Sequence, residues 1–269
     1  MCYYEKYLVR GKYMTYFIIS LKEFFAFRWQ VVFKIFSVFI VSIATIYLWK
    51  YIYSNDFEMQ RYMVQYTIIS NIISIFYTEE ISENISKKIY DGTFVVELIR
   101  PVSFLKINII QSMGTTIANA IIKVIPLILF FYVFYRRYLS VICFYNVIFF
   151  LLSLCMAFWL HTCMYATLGF LAFKFYEVWP FNRLLRDTIR FFSGAFIPIT
   201  LFPGWLAKIA DVLPFQCLYS FPIEMLIKRW EICDVYIEFI KLIIWNIIMC
   251  IVLLVVYKKS IVKCVVQGG

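Results

Sequence analysis

The chain has 269 residues, 64% of them hydrophobic and only 16% charged, against the ~45–50% apolar share of an ordinary soluble domain. So much apolar surface cannot be hidden in one water-facing core, which argues against a soluble enzyme and leaves lipid as the solvent. The net charge of +10 lies in short segments between apolar runs, where it reads as positive-inside asymmetry and contact with anionic membrane lipids, not as a nucleic-acid footprint.

In residues 1–30, Tyr13, Phe17, Leu21, Phe24 and Phe25 recur at helical spacing with Lys22, Glu23 and Arg28 between them. This predicts an amphipathic helix lying on the membrane surface, the simpler alternative being the start of the first span. The basic residues Lys6, Arg10 and Lys12, without a small-residue cleavage site, do not form a signal peptide. A first span is predicted over 31–53, closed by an aromatic belt of Trp49, Tyr51 and Tyr53, and a second over 62–78, after a loop with Asp56, Glu58 and Arg61.

The longest polar stretch follows, 79–106, holding Glu79, Glu80, Glu83, Lys87, Lys88, Asp91, Gly92, Glu97, Arg100, Pro101 and Lys106. It predicts a short helix, a turn at Asp91-Gly92, a second short helix and a stop at Arg100-Pro101. A third span is expected over 108–135 with a kink at Pro126. The apolar run 141–173 would extend ~50 Å as a helix against a ~30 Å hydrocarbon core, so it must tilt, project into water or break near Gly169. A fifth span is placed over 183–202. Pro203, Gly204 and Trp205 interrupt it, and 203–230, broken by Pro214 and Pro222, reads as a re-entrant helical hairpin. A sixth span covers 236–257. With the N-terminus inside, Lys and Arg on that side outnumber those on the other by roughly two to one, which favours both termini inside.

The chemical inventory is sparse. There is no phosphate-cradling G-x-x-x-x-G-K-[ST] and no G-x-S-x-G, and none of the eight cysteines form a C-x-x-C pair. His161, the one histidine, lies in an apolar run, where packing is the ordinary role and a zinc site is not supported. Cys217 and Cys233 share a loop, and the sequence leaves open whether they pair. Two polar stripes lie within spans. Thr67, Ser70, Asn71, Ser74 and Thr78 share a face of the second, and Thr115, Asn119 and Lys123 one of the third. Such stripes line a path or pack helices together. Arg183, Arg186 and Arg190 lie on one face with Asp187 in pairing distance, for lipid anchoring or for a partner.

The order of several short motifs resembles the ABC-2 type transporter permeases, in their six-span branch of about 260 residues. Phe27-Arg28 followed by Leu48 to Tyr53 is similar to that branch's first span. Ile89-Tyr90-Asp91-Gly92-Thr93 through Leu98-Ile99-Arg100-Pro101-Val102 resembles its segment after span 2. Phe192-Ser193-Gly194-Ala195-Phe196-Ile197-Pro198, then Phe202-Pro203 and Leu213-Pro214-Phe215, resemble its later proline block, and Gly268-Gly269 its ending. The resemblance implies an all-α membrane protein, a single transmembrane permease domain over 1–269. It would have six transmembrane helices, an N-terminal amphipathic helix (1–30), a cytoplasmic coupling helix (79–106) and an extracellular re-entrant hairpin (203–230), similar to type V exporters.

It further implies a non-catalytic subunit of a bacterial plasma-membrane exporter with both termini cytoplasmic. The chain itself would bind no cofactor; ATP and Mg would sit on two cytoplasmic ABC ATPase subunits, beside a second permease, identical or paralogous. Glu79, Glu80, Glu83, Tyr90, Asp91, Gly92, Arg100 and Pro101 would couple to the ATPase. Thr67, Ser70, Asn71, Ser74 and Thr78 would line the path, and Pro198, Pro203, Gly204, Trp205 and Pro214 would shape the cap. Aromatic richness suits a hydrophobic or amphipathic drug, peptide or lipid-like cargo. The competing readings are an immunity or sensor protein that binds a toxin or lipid without moving it, and a membrane enzyme acting on lipids.

Overall fold

The computed structural model describes residues 14–19, 28–99, 102–138, 144–227 and 232–267. Most of the segment read as an amphipathic start, the Arg100-Pro101 stop and the Gly268-Gly269 ending lie outside these residues. Among the described residues the chain is helical, without a strand. Apart from a short turn of helix at 14–19, the long elements are α1 (Arg28–Ile52), α2 (Phe57–Phe76), α5 (Phe104–Tyr135), α6 (Phe144–Gly169) and α10 (Ile232–Gln267). Between them lie α3 (Glu80–Tyr90), α4 (Thr93–Ile99), α7 (Trp179–Phe192), α8 (Gly204–Val212) and α9 (Ser220–Ile227).

Among the described residues, four segments are long and apolar enough to cross a membrane: Ile35–Ile52, Phe104–Tyr138, Phe144–Phe173 and Asp234–Val262. Their outward stripes carry exposed aliphatic and aromatic side chains, such as Phe36 and Ile40 on α1 or Ile121 and Ile125 on α5. Lipid is the medium in which such stripes are stable. The two remaining segments read as spans differ. Helix α2 has 20 residues, enough for ~30 Å, but Gln60, Gln65, Thr67, Ser70, Asn71 and Ser74 lower its hydropathy. Asp56 caps it, its side chain accepting from the Met59 amide at 3.0 Å. Helix α7 has 14 residues, only ~21 Å. It begins at Trp179 with Pro180 in its first turn, where a missing N–H costs nothing. It ends at Phe192 instead of running on to 202, because Gly194 adopts a φ of 80° and turns the chain.

Helix α6 is the hub. Helices α10, α9 and α3 pack on it, while α1 packs on α2 and α2 on α5. At Gly169 the helix tightens into a 3-10 turn, Phe170–Phe173, so the overlong fourth run changes form where its length required. The main core gathers Tyr66, Ile85, Phe104, Leu160, Tyr165 and Phe221, and a second cluster joins Ile46 of α1 to Val64, Leu127 and Phe131. Pro126 sits inside α5, which remains one continuous element. The segment read as a hairpin is two short helices, α8 and α9, around a turn at 213–219. Of these α9 is buried from Ser220 to Met225 while α8 buries only Ala210.

Candidate functional site

The elbow at 79–99 matches the predicted helix–turn–helix. Glu80 and Glu83 in the first turn of α3 and Lys87 and Lys88 in its last complement the helix dipole. The turn at Asp91-Gly92 reverses the chain through Gly92, whose φ is 71°. Lys88 bridges back to Glu97 of α4 at 3.1 Å, and the Thr93 hydroxyl donates to the Lys88 carbonyl at 3.2 Å. Phe94 anchors α4 by edge-on contacts with Phe104, Phe170 and Phe173. Ile81, Ser82, Ile85 and Ser86 form the buried face of α3; Glu83, Lys87, Tyr90 and Asp91 are exposed.

The buried face is clamped to α6 and α7. A Cβ on Gly169 would stand 2.8 Å from Ile85 Cβ and 3.0 Å from the Ser82 carbonyl oxygen, so the glycine is what lets the two helices meet. Ser82 donates to Asn182 Oδ1 at 2.7 Å, with 0% and 2% of the two residues exposed. Arg186 Nη1 donates to Glu79 Oε1 at 3.0 Å. Burial raises the Glu79 carboxyl above its ordinary value, and the charge and hydrogen bond of Arg186 only partly offset this. The exposed residues of α3 open onto a groove of about 570 Å³ whose far wall is Glu177, Val178, Trp179 and Asn182. Tyr90 donates across it to the Phe175 carbonyl at 3.1 Å. Glu83, Tyr90 and Asp91 therefore share one surface feature, while Glu80 and Gly92 flank it and Arg100 and Pro101 lie outside the described residues.

The polar stripe of α2 is bonded within the protein. Thr67 donates to the Met63 carbonyl and Ser74 to that of Asn71, within the helix. Ser70 donates to the Ala195 carbonyl at 2.7 Å, and Asn71 Nδ2 to Ser42 Oγ of α1 at 2.9 Å. Thr78 is half-buried beyond the helix end. On α5, Thr115 donates to the Ser112 carbonyl and Asn119 to that of Thr115, leaving Asn119 Oδ1 buried without a partner.

Tyr66, which sequence reasoning did not single out, donates to the Gly194 carbonyl at 2.8 Å. A Cβ on Gly194 would lie 2.9 Å from that hydroxyl, so positive φ and close approach both demand glycine there. Pro198 and Pro203 hold nearly the same extended backbone, φ −51° and ψ 139° against φ −54° and ψ 143°. Each leads into a short helix. Gly204 and an exposed Trp205 begin α8, and Pro214 lies in the turn before α9.

Among the described residues, Arg186 is the member of the arginine cluster that makes a close ion pair with another segment's carboxylate, Glu79, on which the Arg190 charge also acts. Arg183 lies over the Trp179 ring and Arg190 over Phe196. Asp187 pairs with Arg186, at 3.6 Å, and not with Arg183 or Arg190. His161 is buried, stacked on Tyr77 at 4.6 Å with Tyr165 tilted against it at 4.5 Å, so packing is its visible role. Cys217 is a buried free thiol, and the Cys233 side chain lies outside the described residues. Sequence reasoning placed a break at Gly169 but not its contact with α3, and it missed Asn182 and Phe94; the one available signal was the seven-residue repeat of Asn182 and Ile189, the two buried positions of α7.

These features describe a multi-pass helical membrane protein with an internally clamped elbow. Residues 39–268 match the model of the ABC-2 family transporter proteins, and the chain belongs to that family. No curated protein sequence matches it. Membership assigns it to the membrane component of ABC transporters, generally a non-catalytic subunit that associates with an ABC ATPase.

Proposed function

We propose that this chain is the permease subunit of an ABC exporter, passing a hydrophobic or amphipathic compound across a bacterial plasma membrane. Two copies, or this chain and a paralogue, form the membrane part, and two cytoplasmic ATPase subunits bind the ATP and Mg. The six-span arrangement, with α2 and the segment 183–202 crossing beside the four apolar helices, belongs to this reading. It is supported by Thr67, Ser70, Asn71 and Ser74 of α2, whose donors bond inside the protein as a lipid environment requires.

The observation that carries the proposal is the clamp on α3. Its buried face is locked to α6 and α7 through Gly169, Asn182 and Arg186, while its exposed face offers Glu83, Lys87, Tyr90 and Asp91 around the groove. A partner seated there would push α6 and α7 directly, since packed helices shift as bodies and do not deform continuously. Helix α3 also packs on α5, with Lys88 over the Phe104 ring, so in this reading the route includes the third segment. In this reading the half-buried members of the α2 stripe, Asn71, Ser74 and Thr78, line the path.

The test is reconstitution. The purified chain alone should hydrolyse no ATP. It should retain a cognate ATPase on co-purification, and Tyr90→Ala with Lys87→Glu should weaken that retention by roughly tenfold or more. Robust hydrolysis without a partner would sink the proposal. A chain that binds a toxin or lipid but captures no ATPase would favour the immunity or sensor reading.

A further inference from the structure

A second, smaller chamber lies behind the clamp. It measures about 60 Å³ and its walls include the aromatic rings of Tyr77, His161, Tyr165 and Tyr219. A cavity needs only ~10–15 Å³ of such space to hold one water, so this one admits a few waters or one small oxygen-rich group. Its charges do not balance. One carboxylate in the lining, Glu79, stands against two guanidinium groups: it pairs with Arg186 at 3.0 Å and also feels the charge of Arg190, which lines the chamber too, makes no ion pair within 4 Å among the described residues and rests 5.8 Å from the Phe196 ring.

Its hydrogen-bond donors do not balance either. Tyr165 and Tyr219 are 1% and 5% exposed, and neither hydroxyl bonds to another group among the described residues. Tyr77, by contrast, donates to the Leu218 carbonyl at 2.6 Å. Arg186 Nε is buried with no hydrogen-bond partner, the Asp187 carboxylate standing 3.6 Å away. Donors left without a protein partner in a largely enclosed site seek acceptors, and an excess cation beside them selects an acceptor that is negatively charged.

We propose that this chamber is an oxyanion site, holding a carboxylate or phosphoryl oxygen between Arg186, Arg190 and the hydroxyls of Tyr165 and Tyr219. The surrounding rings lower the local dielectric and the guanidinium groups supply charge, the combination under which an anion is bound more strongly than in bulk solvent. The oxygen can belong to a lipid headgroup or to a free small anion. On the transport reading, and only there, the chamber is where the acidic end of an amphipathic cargo would rest.

The test uses the full chain in maltoside micelles, heated with inorganic phosphate or acetate in place of chloride at constant ionic strength. Phosphate or acetate should raise the melting temperature in a saturable way. Arg190→Gln should raise the half-saturating concentration by roughly tenfold or more. Tyr165→Phe and Tyr219→Phe, which remove only a hydroxyl, should raise it by a smaller factor, and Arg183→Gln should leave it unchanged. A second arm adds phosphatidylglycerol. Retention of this lipid by native mass spectrometry, its loss in Arg190→Gln and its competition with phosphate would mark a headgroup as the occupant. Saturable binding of the small anions without lipid retention would mark a free anion. The proposal is overturned if neither anion nor lipid binds, or if Arg190→Gln and Arg183→Gln respond alike. No ATPase enters the assay, so failure here leaves the permease reading standing, and failure of that reading leaves the chamber to be judged by binding alone.

Discussion

Helices α3 and α8 are both short, and they are attached to the body by different physics. Helix α3 buries a face of four residues and meets α6 at backbone distance through Gly169. Helix α8 buries only Ala210 and leaves Trp205 67% exposed. Its tether is polar: Lys241 donates to Asp211 at 2.8 Å, and Gln216 donates to the same carboxylate at 2.9 Å. Close packing makes a joint that transmits displacement, because a core cannot yield without creating voids or clashes. A half-exposed ion pair makes a joint that holds position only loosely. The molecule is stiff where α3 meets its hub and compliant at 204–212.

The most severe way to break that contrast is to fill the glycine contact. Gly169→Leu forces side-chain atoms into Ile85 and the Ser82 carbonyl, and should cost about 3 kcal/mol by overpacking. The measurement is the thermal midpoint of the purified chain together with its ability to couple to an ATPase; an unshifted midpoint would mean that the joint is not tight. Next comes Asn182→Ala, which strips the acceptor from a fully buried Ser82 hydroxyl and should cost about 1–3 kcal/mol. Adding Ser82→Ala should recover much of that loss, since removing both partners is milder than orphaning one.

The two joints should also differ in the sign of their pH response. Burial raises Glu79 in the folded state. Its contribution to stability is therefore complete below the ordinary Glu value of about 4.3 and is lost as pH rises through the raised one. Glu79→Gln should flatten the stability profile in that window. Burial pushes Asp211 up as well, but the hydrogen bonds from Lys241 and Gln216 and the Lys241 charge outweigh it and hold the carboxyl below its ordinary value. That contribution is present above about 3.9 and disappears as pH falls through the lowered value. Asp211→Asn, the mildest of the four, should cost only ~0.2–1 kcal/mol near neutrality, as exposed pairs do. Equal pH profiles for the two variants would erase the distinction.

Helix placement was largely legible in the sequence because apolar runs and their polar interruptions report burial residue by residue. The elbow at Asp91-Gly92 and the break at Gly169 were both readable in that way. The end of α7 was not, because Trp179-Pro180 looks like an interruption when it is a helix start, and Ser193-Gly194 looks like helix when it is a turn. The clamp was invisible for another reason. Ser82 and Asn182 are 100 positions apart and Glu79 and Arg186 are 107 apart, and no local pattern encodes which distant side chain will meet which. The same holds for Ser70, whose acceptor lies 125 residues on. A polar stripe announces that partners exist without naming them.

Gly92 separates two demands that usually arrive together. Its backbone needs the left-handed region, yet a Cβ there would find nothing within 4 Å. The requirement is one of chirality alone, so Asn, which tolerates that region, is admissible, and a D-alanine introduced by ligation should stabilise the bend outright by narrowing its freedom in the unfolded chain. The stiffness of this corner is thus an adjustable parameter. It can be tuned by the handedness of a single residue while every surface around it keeps its chemistry.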